Sequence, residues 1–511
     1  MIRFNYLAAG VCAGLSLLNT ATAQKKPHVI LLMTDQQRAD AMGCTGNETV
    51  LTPNMDKLAE DGNLFNNGYS SVPSSTPARA GLVTGMSPWA HGMLGYGQEA
   101  ERYEHEMPRI MGELGYITIG IGKMHWYPQN NMRGFQTLLL DESGRVDSDN
   151  FMSDYRKWFN TQALGLDPDV TGIGWNDHGA RVYQLPENLH PTFWTTKVAV
   201  ETIRGYQSDK PLFMKVSYAR PHSPYDPPAR FMEMYDSLEV AEPLVPAIGE
   251  WEPESWRAQT DPTKNPSAAV GNFGEEYAKN SRRHYNASIT FIDEQFGHII
   301  DELKAKGIYD DALIIFVSDH GDMMGDHCLW RKTYAYEGSA AVPYIVKLPK
   351  DYQTHIKAGE EIDLPVELRD ILPTMIDIAQ GEQPEIMDGA SLLDIYDQKD
   401  PQWREFIDLE HATCYFKENY WTSLTDGKIK YVWFMPTGEE QLFDLTKDPD
   451  ELKELSKDRK YKKTLEYMRG KMVEHLEVRG EEWVKDGELQ VLNRTIIYGE
   501  NFPQENSAQK K

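Results

Sequence analysis

The chain has 511 residues, with 78 acidic against 52 basic side chains and a formal net charge of -26. This length allows one large domain with an attachment, or two or three ordinary domains. The charge argues against a nucleic-acid partner, which needs a basic face, and four cysteines are too few for a disulfide framework, so stability must come from a buried core.

Residues 1–23 read as an export signal: Arg3 supplies a positive start, 6–18 an apolar run, and Ala21-Thr22-Ala23 a small-residue cleavage site before Gln24. The apolar run is shorter than the ~20 residues a spanning helix requires. An exported protein, periplasmic or secreted and without stable membrane insertion, is therefore expected. Cys12 falls inside that segment, and removing it leaves Cys44, Cys328 and Cys414, an odd and sparse set.

His28-Val29-Ile30-Leu31-Leu32-Met33-Thr34 is nearly continuously apolar, as a parallel strand buried on both faces would be, and it ends at Asp35-Gln36. Ser75-Thr76-Pro77-Ala78-Arg79 follows, with Ser and Pro placed as they are at helix starts. A short strand at 117–121 ends in Gly122-Lys123-Met124-His125-Trp126, and another at 212–218 ends in Arg220-Pro221-His222-Ser223-Pro224. Ile289, Ile292, Phe296, Ile299, Ile300 and Leu303 recur at helical spacing, and Gly307 follows as a stop. The next strand, 312–318, ends in Asp319-His320-Gly321. Strands alternating with helices imply an α/β domain over residues 24–395, with a mostly parallel central sheet flanked by helices. Beyond Asp388-Gly389 the pattern changes to short antiparallel strands, 430–434 and 441–445, joined by Pro436-Thr437-Gly438 and followed by a helix near 461–478. Residues 396–511 are read as a smaller α+β subdomain with an antiparallel sheet.

Ligands of open α/β sheets bind outside the carboxyl ends of the strands. Asp35, Gln36, Asp319 and His320 are therefore expected at one site, although either Asp alone could simply cap a turn. The ordered set Asp35-Gln36, Ser75 to Gly85, Gly122-Lys123-Met124-His125, Pro221-His222-Ser223-Pro224, Ser318-Asp319-His320-Gly321 with Lys332, and Leu442-Phe443-Asp444-Leu445 resembles the type I formylglycine-dependent sulfatases of the alkaline phosphatase superfamily, in their serine form.

That resemblance implies a fold and a set of roles. Ser75 would be oxidised to formylglycine by a serine-directed sulfatase-maturing enzyme, and its hydrated form would attack sulfur. Arg79 and Lys123 would hold the diol, His125 would act as base, and His222 and Lys332 would clamp the sulfate, with His222 protonating the departing alkoxide. Asp35, Gln36, Asp319 and His320 would bind one divalent cation, calcium in most of the family, with the imidazole leaving room for manganese or zinc. Gln36 and His320 resemble the branch that includes choline sulfatases, phosphonate monoester hydrolases and unsaturated-uronate 2-O-sulfatases.

A sulfated carbohydrate is the expected substrate. The loop 172–194 supplies Trp175, Asn176, His178 and Arg181, and Glu410-His411 are expected to reach the same mouth from the small subdomain. Two other readings stand beside this one: a phosphonate or phosphate monoester hydrolase with the same nucleophile and metal, and a glycan-binding homologue in which Ser75 is never oxidised. His91, Lys215 and His327 are read as structural.

Overall fold

A computed structural model describes residues 25–146, 148–237 and 246–503. The expected export segment lies outside them. Seven strands form the central sheet: β1 (His28–Asp35), β2 (Asn63–Leu64), β3 (Ile117–Gly122), β4 (Thr137–Leu140), β5 (Leu212–Pro221), β6 (Ala312–Ser318) and β7 (Tyr344–Lys347). They lie in the order β2-β7-β6-β1-β5-β3-β4. Strands β6, β1, β5, β3 and β4 run parallel, and β7 and β2 complete one edge in antiparallel pairing.

Every residue of β1, β5 and β6 is buried, because helices cover both faces. Val29, Leu31 and Met33 face one core with α1 (Ser75–Thr84), while Ile30 and Leu32 face the other with α2 (Pro191–Gly205) and α3 (Glu275–Ala305). The anticipated apolar stripe of α3 is present, and Gly307, at φ +73°, follows its end. The helix begins earlier than the stripe, at Glu275, because its first turns have partners of their own: Ala278 packs with Phe273 and Trp330, and Tyr285 with Tyr225 and Met324.

The register brings the strand ends level. Thr34 pairs with Ser318, Met33 with Ser217, and Gly122 with Ser217. Gly122 lies at φ +89°, and a Cβ there would sit 2.1 Å from the Ser217 carbonyl oxygen, so only glycine lets the chain turn outward into Lys123.

The second sheet is antiparallel, in the order β8 (Ile407–His411), β9 (Trp421–Thr425), β10 (Ile429–Phe434), β11 (Glu439–Asp444). Helix α4 (Lys462–Leu476) packs Met468, Met472 and Leu476 on Leu424, Tyr431 and Leu442 of this sheet. Glu410 N donates to Ser71 O at 2.9 Å and Ala412 N to Leu94 O at 2.6 Å, which seats the end of β8 beside the approach to α1. Among the described residues no helix is long and apolar enough to cross a membrane.

Candidate active site

Ser75 is the first residue of α1, buried to 1% exposure, with Ser74 in extended conformation ahead of it. Its Oγ lies 3.1 Å from His320 Nε2. The positive end of the helix dipole faces the same position.

Asp35, Asp319 and His320 bring their ligand atoms within 4.8 Å of one another. Asp35 Oδ1 is buried without a hydrogen-bond partner. The Nδ1–H of His320 donates to Gly321 O at 2.9 Å, which leaves the Nε2 lone pair for the site. Two carboxylates and an oriented neutral imidazole suit a hard divalent cation. Gln36 borders this group differently from the expected ligand set. Its backbone N–H donates to Asp319 Oδ1, but its carboxamide is engaged elsewhere, Nε2 donating to Asp322 Oδ2 at 2.5 Å and Oε1 accepting from Lys332 Nζ at 2.6 Å.

Arg79 ties the two carboxylates together, Nε to Asp319 Oδ2 at 2.9 Å and Nη2 to Asp35 Oδ2 at 3.2 Å, while Nη1 donates to Lys123 O and Ser217 Oγ. Lys123 Nζ meets Asp35 Oδ2 at 2.5 Å. Burial pushes the Asp35 carboxyl up, but the charges of Lys123 and Arg79 outweigh it and hold the group well below the usual range. Lys332 Nζ donates to His222 Nε2 at 2.9 Å, and His222 Nδ1–H donates to Ser223 O. Burial lowers Lys332 to about 7. Burial and the Lys332 charge keep His222 neutral; burial with Arg145, Lys123 and Arg79 does the same to His125.

His125 has its Nδ1 buried and unpartnered, and its backbone is left-handed at φ 61°. Glu142 fixes that turn, Oε1 accepting from Met124 N at 2.9 Å and His125 N at 3.0 Å. Sequence reading missed Glu142, although Asp141-Glu142 follows β4 in the same strand-then-ionisable pattern that marked the other ends. It also missed Asp322, which accepts from Gln36, Tyr225 OH and the backbone of Met324 and Arg331.

The expected sugar-binding residues divide. Ser223 Oγ donates to Gly174 O and Asp177 O, tying the loop with Trp175 and Asn176 to His222; Arg220 lies 5.8 Å over the Trp175 ring, and Asn176 and Arg181 are exposed. His178 does not reach the mouth. It is fully buried, donates through Nε2 to Ala268 O at 2.6 Å and stacks on Trp330 at 4.7 Å. Glu410 is buried in a two-point pair with Arg479, at 2.9 and 2.8 Å, and is likewise a packing residue. His411 approaches from behind: its Nδ1–H donates to Ala412 O, and its Nε2 accepts from Ser74 Oγ at 2.8 Å. Burial forces Glu410 into an ion pair and His411 into a fixed tautomer, leaving neither free for a ligand.

The family model described as Sulfatase matches residues 27–381, and the one described as N-sulphoglucosamine sulphohydrolase, C-terminal, matches residues 325–478. An arylsulfatase of Clostridium perfringens is 37% identical over 475 residues, covering 90% of this chain and 96% of the relative. An N-acetylglucosamine-6-O-sulfatase of Bacteroides thetaiotaomicron is 25% identical over 507 residues, covering 86% and 85%. The solved phosphonate monoester hydrolase of Agrobacterium radiobacter superposes with a TM-score of 0.73 at 24% identity, covering 88% of this chain and 95% of that one, a likeness of fold.

Proposed function

The chain belongs to the sulfatase family and is a sulfuric ester hydrolase, and from that premise we propose that it desulfates a carbohydrate through a formylglycine made from Ser75 and a divalent cation, calcium, held by Asp35, Asp319 and His320 with Gln36 alongside. The observation that carries this reading is Ser75 Oγ at 3.1 Å from His320 Nε2, beside carboxylates bridged by Arg79. The bound cation supplies Lewis-acid polarisation of the sulfate oxygens, and the oxidised, hydrated side chain supplies an oxygen nucleophile with a second hydroxyl on the same carbon.

The chain's own residues do the rest. Arg79, Lys123 and Lys332, all buried, neutralise the charge of the sulfate. As the sulfur–oxygen bond to the sugar breaks, the Lys332–His222 pair delivers a proton to the departing alkoxide. His125, neutral and with a free Nδ1, takes the proton that leaves residue 75 when sulfate is expelled and the carbonyl re-forms.

A carbohydrate leaving group is favoured by the Trp175, Asn176 and Arg181 loop tied to His222, and by the N-acetylglucosamine-6-O-sulfatase that aligns with most of the chain. The Gln36 and His320 pairing directs the search toward uronate 2-O-sulfates of glycosaminoglycan fragments. A catalytic domain over 24–395, a subdomain over 396–511 and export to the periplasm complete the proposal. The test is turnover of a panel of sulfated mono- and disaccharides by matured protein, with phosphate and phosphonate monoesters alongside. Sulfate release should dominate; preference for a phosphonate sinks the reading. Intact mass of the Ser75 peptide should fall by two hydrogens, and an unmodified serine in a protein that still binds glycans would instead favour a silent homologue.

A further inference from the structure

Lys332 holds the catalytic His222, but its neighbour Arg331 has no role in that machinery. The buried arginines of this acidic chain are paired with carboxylates: Arg79 with Asp35 and Asp319, Arg133 with Glu99 and Glu106, Arg220 with Asp226, Arg479 with Glu410. Among the described residues Arg331, which is half-buried, has no such carboxylate partner. Its Nε is buried without an acceptor, and Nη1 reaches the Ser267 carbonyl only at 3.4 Å.

The guanidinium is nevertheless held in place. It lies 4.5 Å over the Tyr415 ring, and its backbone is pinned by Arg331 N donating to Asp322 Oδ1 at 2.9 Å and by Met323 N donating to Arg331 O at 2.7 Å. Arg331 and Tyr415 both take left-handed backbone, at φ 70° and 67°. Non-glycine residues hold that conformation where the surroundings enforce it, and such positions gather at binding sites.

Tyr415 comes from the small subdomain, on a loop bolted to the Lys332 segment by Trp421 Nε1 and Asn419 Nδ2, which donate to Thr333 O at 2.9 and 3.3 Å. Tyr96 is 50% exposed, with its ring 6.5 Å from that of His125. Ala412 N donating to Leu94 O joins the two tyrosine-bearing loops. A guanidinium without a carboxylate partner and two exposed tyrosines thus lie next to Lys332 and His125: Arg331 adjoins Lys332 in the chain and stacks on Tyr415, and Tyr96 lies against His125.

We propose that Arg331, Tyr415 and Tyr96 form a subsite for a second anionic group, a carboxylate or a further sulfate, on the saccharide whose sulfate ester is cleaved. This rests on the carbohydrate reading above. A guanidinium fork matches a planar or tetrahedral oxyanion in two-point contact, and the tyrosine rings offer flat apolar faces to the sugar carbons. An uncompensated cation beside an anion-cleaving site, on a protein with net charge -26, also draws a dianionic substrate inward.

The experiment compares a neutral sugar monosulfate with the same sulfated sugar carrying a carboxylate or a second sulfate, using matured wild type, Arg331→Gln, Arg331→Lys and Tyr415→Leu. Arg331→Gln should lower the ratio of kcat/KM for the dianion over that for the monoanion by roughly 10- to 100-fold, the value of one charge-assisted contact, mainly through KM. Arg331→Lys should recover only part of it. An equal fall for both substrates overturns the subsite. Affinity of Ser75→Ala protein for the dianionic sugar, with and without Arg331→Gln, needs neither maturation nor turnover. A loss of at least ~10-fold supports the subsite, and unchanged or undetectable binding overturns it. Failure of wild type to cleave any sugar sulfate would sink the carbohydrate reading instead, and the binding comparison keeps the two failures apart.

Discussion

Ser75 is the proposed nucleophile, and removing its oxygen leaves little for the fold to notice. The side chain is small and buried, and its contact with His320 is one neutral hydrogen bond, worth about 1 kcal/mol. Ser75→Ala should therefore lower turnover by at least ~10³-fold, as loss of a nucleophile does, while the melting temperature shifts by no more than a few degrees; retained turnover would exclude residue 75 as the nucleophile. Glu99 makes the opposite case, a residue felt in stability. Burial raises its carboxyl to about 7 against the pull of Arg133, and neither oxygen has a hydrogen-bond partner. The folded state thus binds a proton there more tightly than the unfolded chain, so this stabilisation is full below about 4.5 and is lost as pH rises through about 7. Glu99→Gln should flatten that dependence, giving a variant more stable than wild type at pH 8 and level with it near pH 5, as read from urea midpoints. Equal differences at both pH values would refute the assignment.

At the scale of elements, strands and their ends were legible because continuous apolar runs admit little besides buried strands, and the chemistry follows each run directly. Partners that arrive from distant elements were not. Glu410 and His411 close β8 in a pattern that resembles the other functional strand ends, yet Arg479, 69 positions on, captures Glu410, and Ser74 captures His411. His178 sits in a loop rich in aromatics, but what it meets is Trp330 from the segment after β6. Gln36 was legible as a site residue, whereas its engagement with Asp322 and Lys332 depends on how three segments pack. The Glu410 correction has a measurable consequence. Truncating one member of a buried ion pair strands the other, at a cost of about 3–5 kcal/mol. Glu410→Ala should lower the melting temperature sharply yet leave the ranking of saccharide substrates unchanged below the transition. A changed ranking would return Glu410 to the sugar site.

For the molecule as a whole, the site exists only when six segments meet: the ends of β1, β3, β5 and β6, the start of α1 and the loop that carries Lys332. Two carboxylates at its centre, Asp35 and Asp319, are shared by Arg79, and Asp35 Oδ1 is left without any partner. A divalent ion there would bind the folded chain and not the unfolded one, so its contribution to stability follows mass action, about 2.7 kcal/mol at 100-fold excess over Kd. Chelation should lower the melting temperature of wild type, and added calcium should restore it. Asp319→Ala should lose the metal, activity and this response together, because the remaining carboxylate and imidazole cannot replace the missing oxygen ligand. Metal content by elemental analysis, measured beside the melting curves, decides the point: an Asp319→Ala protein that keeps one ion per chain and still gains stability from calcium would place the cation elsewhere in the fold.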